Sequence, residues 1–232
     1  MRLIVLLAVL VLSACQVTTG PARVPTPQSA PSAPPVSQDV RNRFDSVVRR
    51  VGPVAVALCE ARTRGRDCRF RIIVDTRPGQ QPNAYQTENR NGRPIIVFTR
   101  SLVTQARNTD ELAFILGHEA AHHILGHIPK SRTNAAQGAI VGAVLAGALG
   151  IEGAGADAIT RQTATIAQRS YSKEFELQAD ALGTVIAARA GYNPVRGAAF
   201  FTRIPDPGDR FLGTHPPNAE RIATVRRVAA GL

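Results

Sequence analysis

Two histidines and a glutamate with helical spacing are the residues of this chain best suited to chemistry. The run His118-Glu119-Ala120-Ala121-His122 is an HExxH sequence inside an apolar stretch. Residues four positions apart on an α-helix share one face, so His118 and His122 can bind one metal ion together. Glu119 lies beside them, where it can take a proton from water. The pattern is typical of zinc-dependent peptidases, with the histidines as metal ligands and Glu119 as general base.

The flanking residues predict the helix that must position this motif. Asn108 and Thr109 are common N-cap residues, and two acidic residues follow them in the first turn. Pro129 predicts that the helix ends near His127. On an unbroken helix, His123 and His127 lie well round from the metal-binding pair, so we expect both to be structural or solvent-facing.

A catalytic zinc ion usually has three protein ligands, so one more ligand must come from elsewhere in the chain. The segment 171–180 contains the best candidates, because Glu176 and Asp180 lie one turn apart on one helical face. They suit a ligand and its supporting carboxylate, respectively. Glu174 points in another direction and is the weaker choice. The alternative is that Glu176 is an ordinary exposed helix charge.

The remaining pattern predicts several helices and a small β-sheet that precedes the HExxH helix. Helical spacing over 40–51 ends at Gly52-Pro53, and a turn is indicated at Asn91-Gly92. Strands are predicted at Val54–Leu58, Phe70–Val74 and Ile95–Thr99. Helices are predicted at 101–107, 160–190, 195–203 and 217–230.

Residues 134–159 combine small residues at every fourth position with aliphatic residues between them. Gly138, Gly142, Ala146 and Gly150 form the small-residue face of a closely packed helix. The segment 135–151 carries no charge, but it falls short of the ~20 residues of a typical membrane span. We expect a mobile apolar helical hairpin beside the cleft, or an oligomer or membrane-surface contact. A membrane span is the weaker alternative.

The N-terminal residues have the features of an export signal. One Arg precedes the apolar run Leu3–Leu12, and small residues precede Cys15. Leu12-Ser13-Ala14-Cys15 resembles a bacterial lipobox, which implies a signal peptide over 1–14 and a lipid on Cys15. An uncleaved anchor is the alternative, although the apolar run is short for one.

The residues after Cys15 divide the mature chain into a tether and a domain. Residues 15–38 are rich in Pro, Ser and Ala, which predicts a flexible tether, and 39–232 is long enough for one domain with a core. Gln16 favours the outer membrane over the inner one. We therefore expect a protein that is lipid-anchored in the bacterial envelope and faces the periplasm.

Cys59 and Cys68 flank a loop that contains Arg and Gly. Export favours oxidation, so we predict a disulfide between them, with two unpaired thiols as the alternative.

The net charge of +11 does not predict a nucleic-acid partner. The basic residues are almost all Arg, which is typical of a high-GC coding bias, and they are scattered along the chain. No nucleic-acid-binding motif is visible.

Several motifs in the same order resemble the HtpX/BepA-like zinc endopeptidases, the forty-eighth family of metallopeptidases, which includes the CaaX prenyl endopeptidases. The resemblance covers roughly 40–230. Lys173 and Gln178 depart from the family's Arg and Glu, at positions that are neither presumed ligands nor the base. The matching segments are the HExxH run, Asn83-Ala84-Tyr85, Ser172–Asp180, Gly191-Tyr192-Asn193-Pro194, and Thr214-His215-Pro216 with Arg221.

The resemblance implies a mainly helical α+β domain of the gluzincin type, with a small β-sheet beside the HExxH helix. It implies one Zn²⁺ bound by His118, His122 and Glu176, with Glu119 as general base. Asp180 would bond to the other ring nitrogen of His118.

His215 would either help to stabilise the oxyanion or close on the zinc as a fourth ligand. A plain loop histidine is the alternative. The strand at Ile95–Thr99 would offer an edge to which an extended substrate adds.

We therefore expect a compact lipoprotein endopeptidase without a tetratricopeptide domain, acting on misfolded or envelope proteins in protein quality control. Its partners would be polypeptide substrates and, through the lipid, the membrane; the sequence predicts no particular oligomer. The alternative is a chaperone or assembly factor for outer-membrane proteins with a latent zinc site. An intramembrane protease that uses 135–151 is a third interpretation.

Overall fold

Eight α-helices and a three-stranded sheet make up the part of the chain that the computed structural model describes, residues 37–170, 172–206, 208 and 215–232. The predicted α+β fold, mainly helical with a small sheet, is confirmed. The predicted signal peptide, Cys15 and the tether up to residue 36 lie outside the described residues. The helices are α1 Gln38–Arg62, α2 Arg100–Gln105, α3 Thr109–Leu125, α4 His127–Ala148, α5 Gly153–Ser170, α6 Ser172–Arg189, α7 Pro194–Ala198 and α8 Asn218–Ala229, and a 3₁₀ turn covers Ala199–Thr202.

The sheet has the strand order β1-β3-β2, with β1 Arg71–Asp75, β2 Ala84–Glu88 and β3 Pro94–Thr99. β3 is parallel to β1 and antiparallel to β2. The predicted strands at Phe70–Val74 and Ile95–Thr99 are therefore present. The expectation that Ile95–Thr99 offers an edge is wrong, because β3 pairs on both sides. Among the described strands, β2 lies at an edge of the sheet instead.

Helix α1 does not end at Gly52-Pro53, and the predicted strand at Val54–Leu58 is wrong. The helix continues through the exposed Pro53, because Ala55, Leu58 and Cys59 extend its buried stripe into the core. An internal proline removes one backbone hydrogen bond and costs about 3 kcal/mol. Burying three apolar side chains, at roughly 1.5–3 kcal/mol for a residue of Val or Leu size, offsets that cost.

Gly126 ends the HExxH helix, and Pro129 does not. Gly126 has a left-handed φ of 71°, and its N–H bonds to the carbonyl oxygens of His122 and His123. Pro129 lies in the first turn of α4, where a proline N–H would have no helical partner in any case. The chain therefore turns sharply directly after the motif.

Helices α4 and α5 form the predicted helical hairpin. Its glycine face is buried: a Cβ on Gly138 would lie 2.5 Å from the carbonyl oxygen of Thr163, and one on Gly142 would lie 2.1 Å from the Thr163 hydroxyl. The aliphatic face is open to solvent, with Val144 67% exposed. Of the described helices, none has the length and apolar character needed to cross a membrane.

The single helix predicted over 160–190 is instead two helices. α5 begins earlier, at Gly153, and ends at Ser170, and α6 begins at Ser172. The two helices have different partners, since α5 packs along α4 whereas α6 packs against α3.

Helix α3 lies at the centre of the core and is buried along almost its whole length. It approaches α6 closely at two glycines. A Cβ on Gly117 would lie 2.8 Å from the carbonyl oxygen of Gly183, and a Cβ on Gly183 would lie 2.7 Å from the backbone nitrogen of His118. This contact brings the carboxylates of α6 against the histidines of α3.

Gly183→Ala should push α6 away from α3, because the new methyl group meets backbone that cannot give way. We expect a loss of about 1–3 kcal/mol in the free energy of unfolding, measured with urea. Gly147→Ala is the matched control, since nothing lies within 4 Å of a Cβ at that exposed helical position. It should stabilise by about 0.5–1 kcal/mol. Equal effects of the two substitutions would contradict the close contact.

Candidate functional site

Three side chains from α3 and α6 meet with their donor atoms close together. The Nε2 atoms of His118 and His122 are 3.0 Å apart. Glu176 Oε2 lies 3.5 Å from His118 Nε2, and Glu176 Oε1 lies 3.4 Å from His122 Nε2. Donors bound tetrahedrally at about 2.0–2.1 Å from one zinc ion are about 3.3 Å apart. The three residues therefore fit a single metal ion by spacing and by ligand type.

The electrostatics of this cluster favour a cation. Burial by itself would raise the pKa of Glu176, but hydrogen bonds to His118, His122 and His215 hold that pKa well below its usual range. Burial likewise lowers the pKa of His118, but the hydrogen bonds and charges of Asp180 and Glu176 outweigh it and raise the pKa to about 10. Glu176 is therefore an anion, and the site stabilises positive charge beside it.

Asp180 holds the second ring nitrogen of His118. Its carboxylate is fully buried, and Oδ1 lies 2.8 Å from His118 Nδ1. Arg221 of α8 donates two hydrogen bonds to the same carboxylate, from Nε at 2.7 Å and from Nη2 at 2.8 Å. The guanidinium also lies over the ring of Phe201, 4.0 Å from its centroid. These contacts orient His118 so that its Nε2 faces His122 and Glu176.

Arg221 has a structural role that was not predicted from the sequence. Its match to the C-terminal family motif was the available signal, but the motif gave no role to the side chain. The structure places its guanidinium on Asp180 and also 3.5 Å from Glu176 Oε2. Arg221 is therefore the cation that offsets the carboxylates gathered behind the histidines.

His127 does not point away from the metal-binding pair, because the helix breaks at Gly126. Its Nδ1 lies 2.8 Å from Nδ1 of His122, and its Nε2 lies 3.2 Å from Oε1 of Gln178. Burial and the nearby His122 lower the pKa of His127 to about 4. Of the two expected alternatives, the structure excludes a solvent-facing residue, and the expectation that His127 lies well round from the metal-binding pair is wrong.

His123 is also buried, and its contacts lead away from the site. Its Nε2 lies 2.8 Å from the carbonyl oxygen of Asp67, and its Nδ1 lies 3.2 Å from Oε1 of Glu88. The loop that carries Asp67 is closed by a disulfide between Cys59 and Cys68. His123 therefore ties the HExxH helix to this loop and to β2.

The donors open into a cleft of about 1130 Å³ that Glu119 and His215 also line. Glu119 is 8% exposed. His215 is half-exposed, and its Nδ1 lies 3.2 Å from Oε2 of Glu176. Glu174 lies outside the cluster, where its carboxylate accepts a hydrogen bond from Gln178. The cleft thus brings the predicted base and His215 together with the three predicted ligands, whereas Asp180 lies buried behind His118.

The cleft wall is partly a strand and partly apolar side chains. Residues 82–86, which include the start of β2, line one part of it. Aromatic side chains line another part: Phe114, Phe175, Phe200 and Phe201. The site therefore offers a backbone edge and an apolar surface next to the donors.

Two imidazoles one turn apart with a carboxylate from a second helix define the class of metal-dependent hydrolases that have a His₂Glu donor set. This chain belongs to peptidase family M48, whose sequence profile matches residues 43–229. The family predicted from the motifs is confirmed.

The chain is similar to two mitochondrial metalloendopeptidases named OMA1. It is 28% identical to the Arabidopsis thaliana protein over 131 residues, which cover 55% of this chain and 26% of that protein. It is 26% identical to the Saccharomyces cerevisiae protein over 172 residues, which cover 68% and 47%. A putative beta-barrel assembly-enhancing protease of Vibrio cholerae is 32% identical over 148 residues, covering 58% and 30%. The chain thus spans between a quarter and a half of the length of these relatives.

Arg221→Ala should be strongly destabilising, because it removes the guanidinium that donates two hydrogen bonds to the buried Asp180 carboxylate. Breaking a buried pair in this way typically costs about 3–5 kcal/mol, to be measured by urea unfolding. Arg77→Ala is the control. It removes an Arg–Asp pair whose arginine side chain is 73% exposed, so the unfolding midpoint should hardly move. An equally mild effect of Arg221→Ala would show that Asp180 does not depend on it.

Proposed function

We propose that this protein is a zinc-dependent endopeptidase that hydrolyses polypeptide chains. The observation that carries the proposal is the convergence of His118, His122 and Glu176 on one point, next to Glu119, in an open cleft. Membership of a peptidase family and similarity to proteins named metalloendopeptidases support it.

Each residue of the site has a role in this mechanism. A zinc ion bound by His118, His122 and Glu176 would polarise the scissile carbonyl and lower the pKa of water towards about 7. Glu119 accepts one proton from the water whose oxygen attacks the carbonyl carbon. It then donates that proton to the leaving nitrogen as the C–N bond breaks.

His215 is the candidate to stabilise the oxyanion. It lies at the cleft and is half-exposed, so its ring can donate to an oxygen of the substrate; such a donor is worth about 3 kcal/mol. The alternative is a fourth metal ligand that keeps the site closed, which its contact with Glu176 also fits.

We propose that substrate adds to the outer edge of β2, which is an edge strand of the described sheet. This strand lines the cleft and pairs on its other side with β3, so an extended peptide can continue the sheet there. The phenylalanines of the cleft would receive apolar side chains, which suits unfolded polypeptides as substrates.

Glu119→Gln should keep the zinc and lose the activity, because an amide cannot accept the proton from water. We expect cleavage of casein to fall by about 10²–10⁴-fold, with zinc stoichiometry unchanged by metal analysis. Glu60→Gln, on the exposed side of α1, is the matched control and should cleave normally. Full activity of Glu119→Gln would refute the mechanism.

The ligand assignment is checked with the two glutamates of α6. Glu176→Gln should lose zinc, whereas Glu174→Gln should retain it.

In cells, rescue of an envelope-stress defect by Glu119→Gln would instead support the alternative of a chaperone or assembly factor with a latent zinc site.

We further propose that the protein is lipid-anchored through Cys15 and faces the periplasm, at the outer membrane, where it serves protein quality control. The lipobox-like sequence and the tether that follows it support the anchor. The disulfide between Cys59 and Cys68 fits an oxidising compartment. One relative is named a putative beta-barrel assembly-enhancing protease, which fits a role at that membrane.

Cys15→Ser should release the full chain from the membrane fraction and abolish its labelling with radioactive palmitate, because the thiol that accepts the lipid is gone. Cys59→Ser combined with Cys68→Ser is the control and should leave the labelling intact. Membrane association and labelling that survive Cys15→Ser would exclude the proposed anchor.

A further inference from the structure

We infer that His127 and Gln178 position the metal ligand His122 through a relay of hydrogen bonds, as Asp180 positions His118. The inference rests on the proposed function, since it assigns His122 Nε2 to the metal. His127 and Gln178 are positioning residues, because they act on the site through His122.

Only one placement of the ring protons gives every contact of the relay one donor and one acceptor. His122 directs Nε2 at the other two donors, so its proton lies on Nδ1 when Nε2 is a ligand. That N–H donates to Nδ1 of His127 over 2.8 Å. The proton of His127 must then lie on Nε2, where it donates to Gln178 Oε1 over 3.2 Å. The Gln178 amide is fixed in turn, because its Nε2 donates to Glu174 Oε1 over 2.8 Å.

The packing around His127 holds the relay in place. The ring is stacked on Phe175, with 4.5 Å between centroids and 10° between planes, and the residue is 3% exposed. Gly126 makes this position reachable, because its left-handed turn brings the next residue back towards His122. A side chain at Gly126 would also meet the guanidinium of Arg66, 2.6 Å from a Cβ.

The two histidine ligands are therefore supported by different chemistry. His118 is hydrogen-bonded to a carboxylate that also binds Arg221. His122 is instead hydrogen-bonded to an imidazole, which in turn contacts an amide. Glu119, Glu176 and Asp180 already bring three carboxylates to the site. The relay fixes the His122 ring without placing a fourth carboxylate against the ligands, because Glu174 lies at its far end, beyond Gln178.

The test compares two substitutions of His127 in the full chain. His127→Phe keeps a ring against Phe175 and removes the acceptor, whereas His127→Asn keeps an acceptor near the position of Nδ1. We expect His127→Phe to weaken zinc binding by about 10–100-fold, measured by competition with a chromophoric chelator. The same substitution should lower kcat and leave KM nearly unchanged. His127→Asn should recover most of the affinity.

His123→Phe is the matched control, because His123 is a buried histidine of α3 whose own contacts lie outside the site. It should lower the melting temperature of the metal-free protein and leave zinc affinity unchanged. Gln178→Leu provides a second variant if His127→Phe does not fold, and it should weaken zinc binding in the same direction. Imidazole ¹⁵N NMR of the zinc-loaded protein should show His127 protonated on Nε2.

The outcomes separate this inference from the proposed function. If the unsubstituted chain binds zinc and loses it in Glu176→Gln, the proposed site stands. The relay alone is then overturned if zinc affinity is unchanged in His127→Phe and Gln178→Leu. It is also overturned if His127 carries its proton on Nδ1. A chain that binds no zinc overturns both.

Discussion

The site depends on the close crossing of α3 and α6 at Gly117 and Gly183. Each glycine faces backbone of the other helix at distances that leave no room for a Cβ. Because side chains near such a crossing must interdigitate, the carboxylates of α6 meet the histidines of α3 directly. Packed interiors transmit small displacements, so the separation of these two helices sets the donor spacing.

Charge is balanced around this crossing by a small number of buried groups. Asp180 is fully buried and receives Arg221 on one side and His118 on the other. A buried carboxylate without partners would be costly, and here both of its oxygens are bonded. The carboxylate of Glu176 faces the cleft as an anion, so the site attracts a cation. Behind it, the charge of Asp180 is balanced by Arg221.

The hairpin of α4 and α5 shows a different use of small residues. Gly138 and Gly142 let the two helices pack closely, while the aliphatic face of α4, including Ile140 and Val144, stays in solvent. At the base of the same helix, Ile128 and Ser131 line the cleft. One helix therefore contributes to the cleft at its start and carries an open apolar face further along.

Sequence alone predicts the HExxH helix and its N-cap, the placement of Glu176 and Asp180 one turn apart on one helix, and the family, because these depend on local spacing and on residue type. It could not decide that α1 continues through Pro53 or that β3 is central, since buried contacts from distant segments settle both. It also could not place His127 beside His122, because that contact requires the left-handed turn at Gly126 and the packing of α6. Tertiary structure alone joined Arg221 to Asp180 across 41 residues of sequence, since hydrogen bonds between distant segments leave no periodic signal.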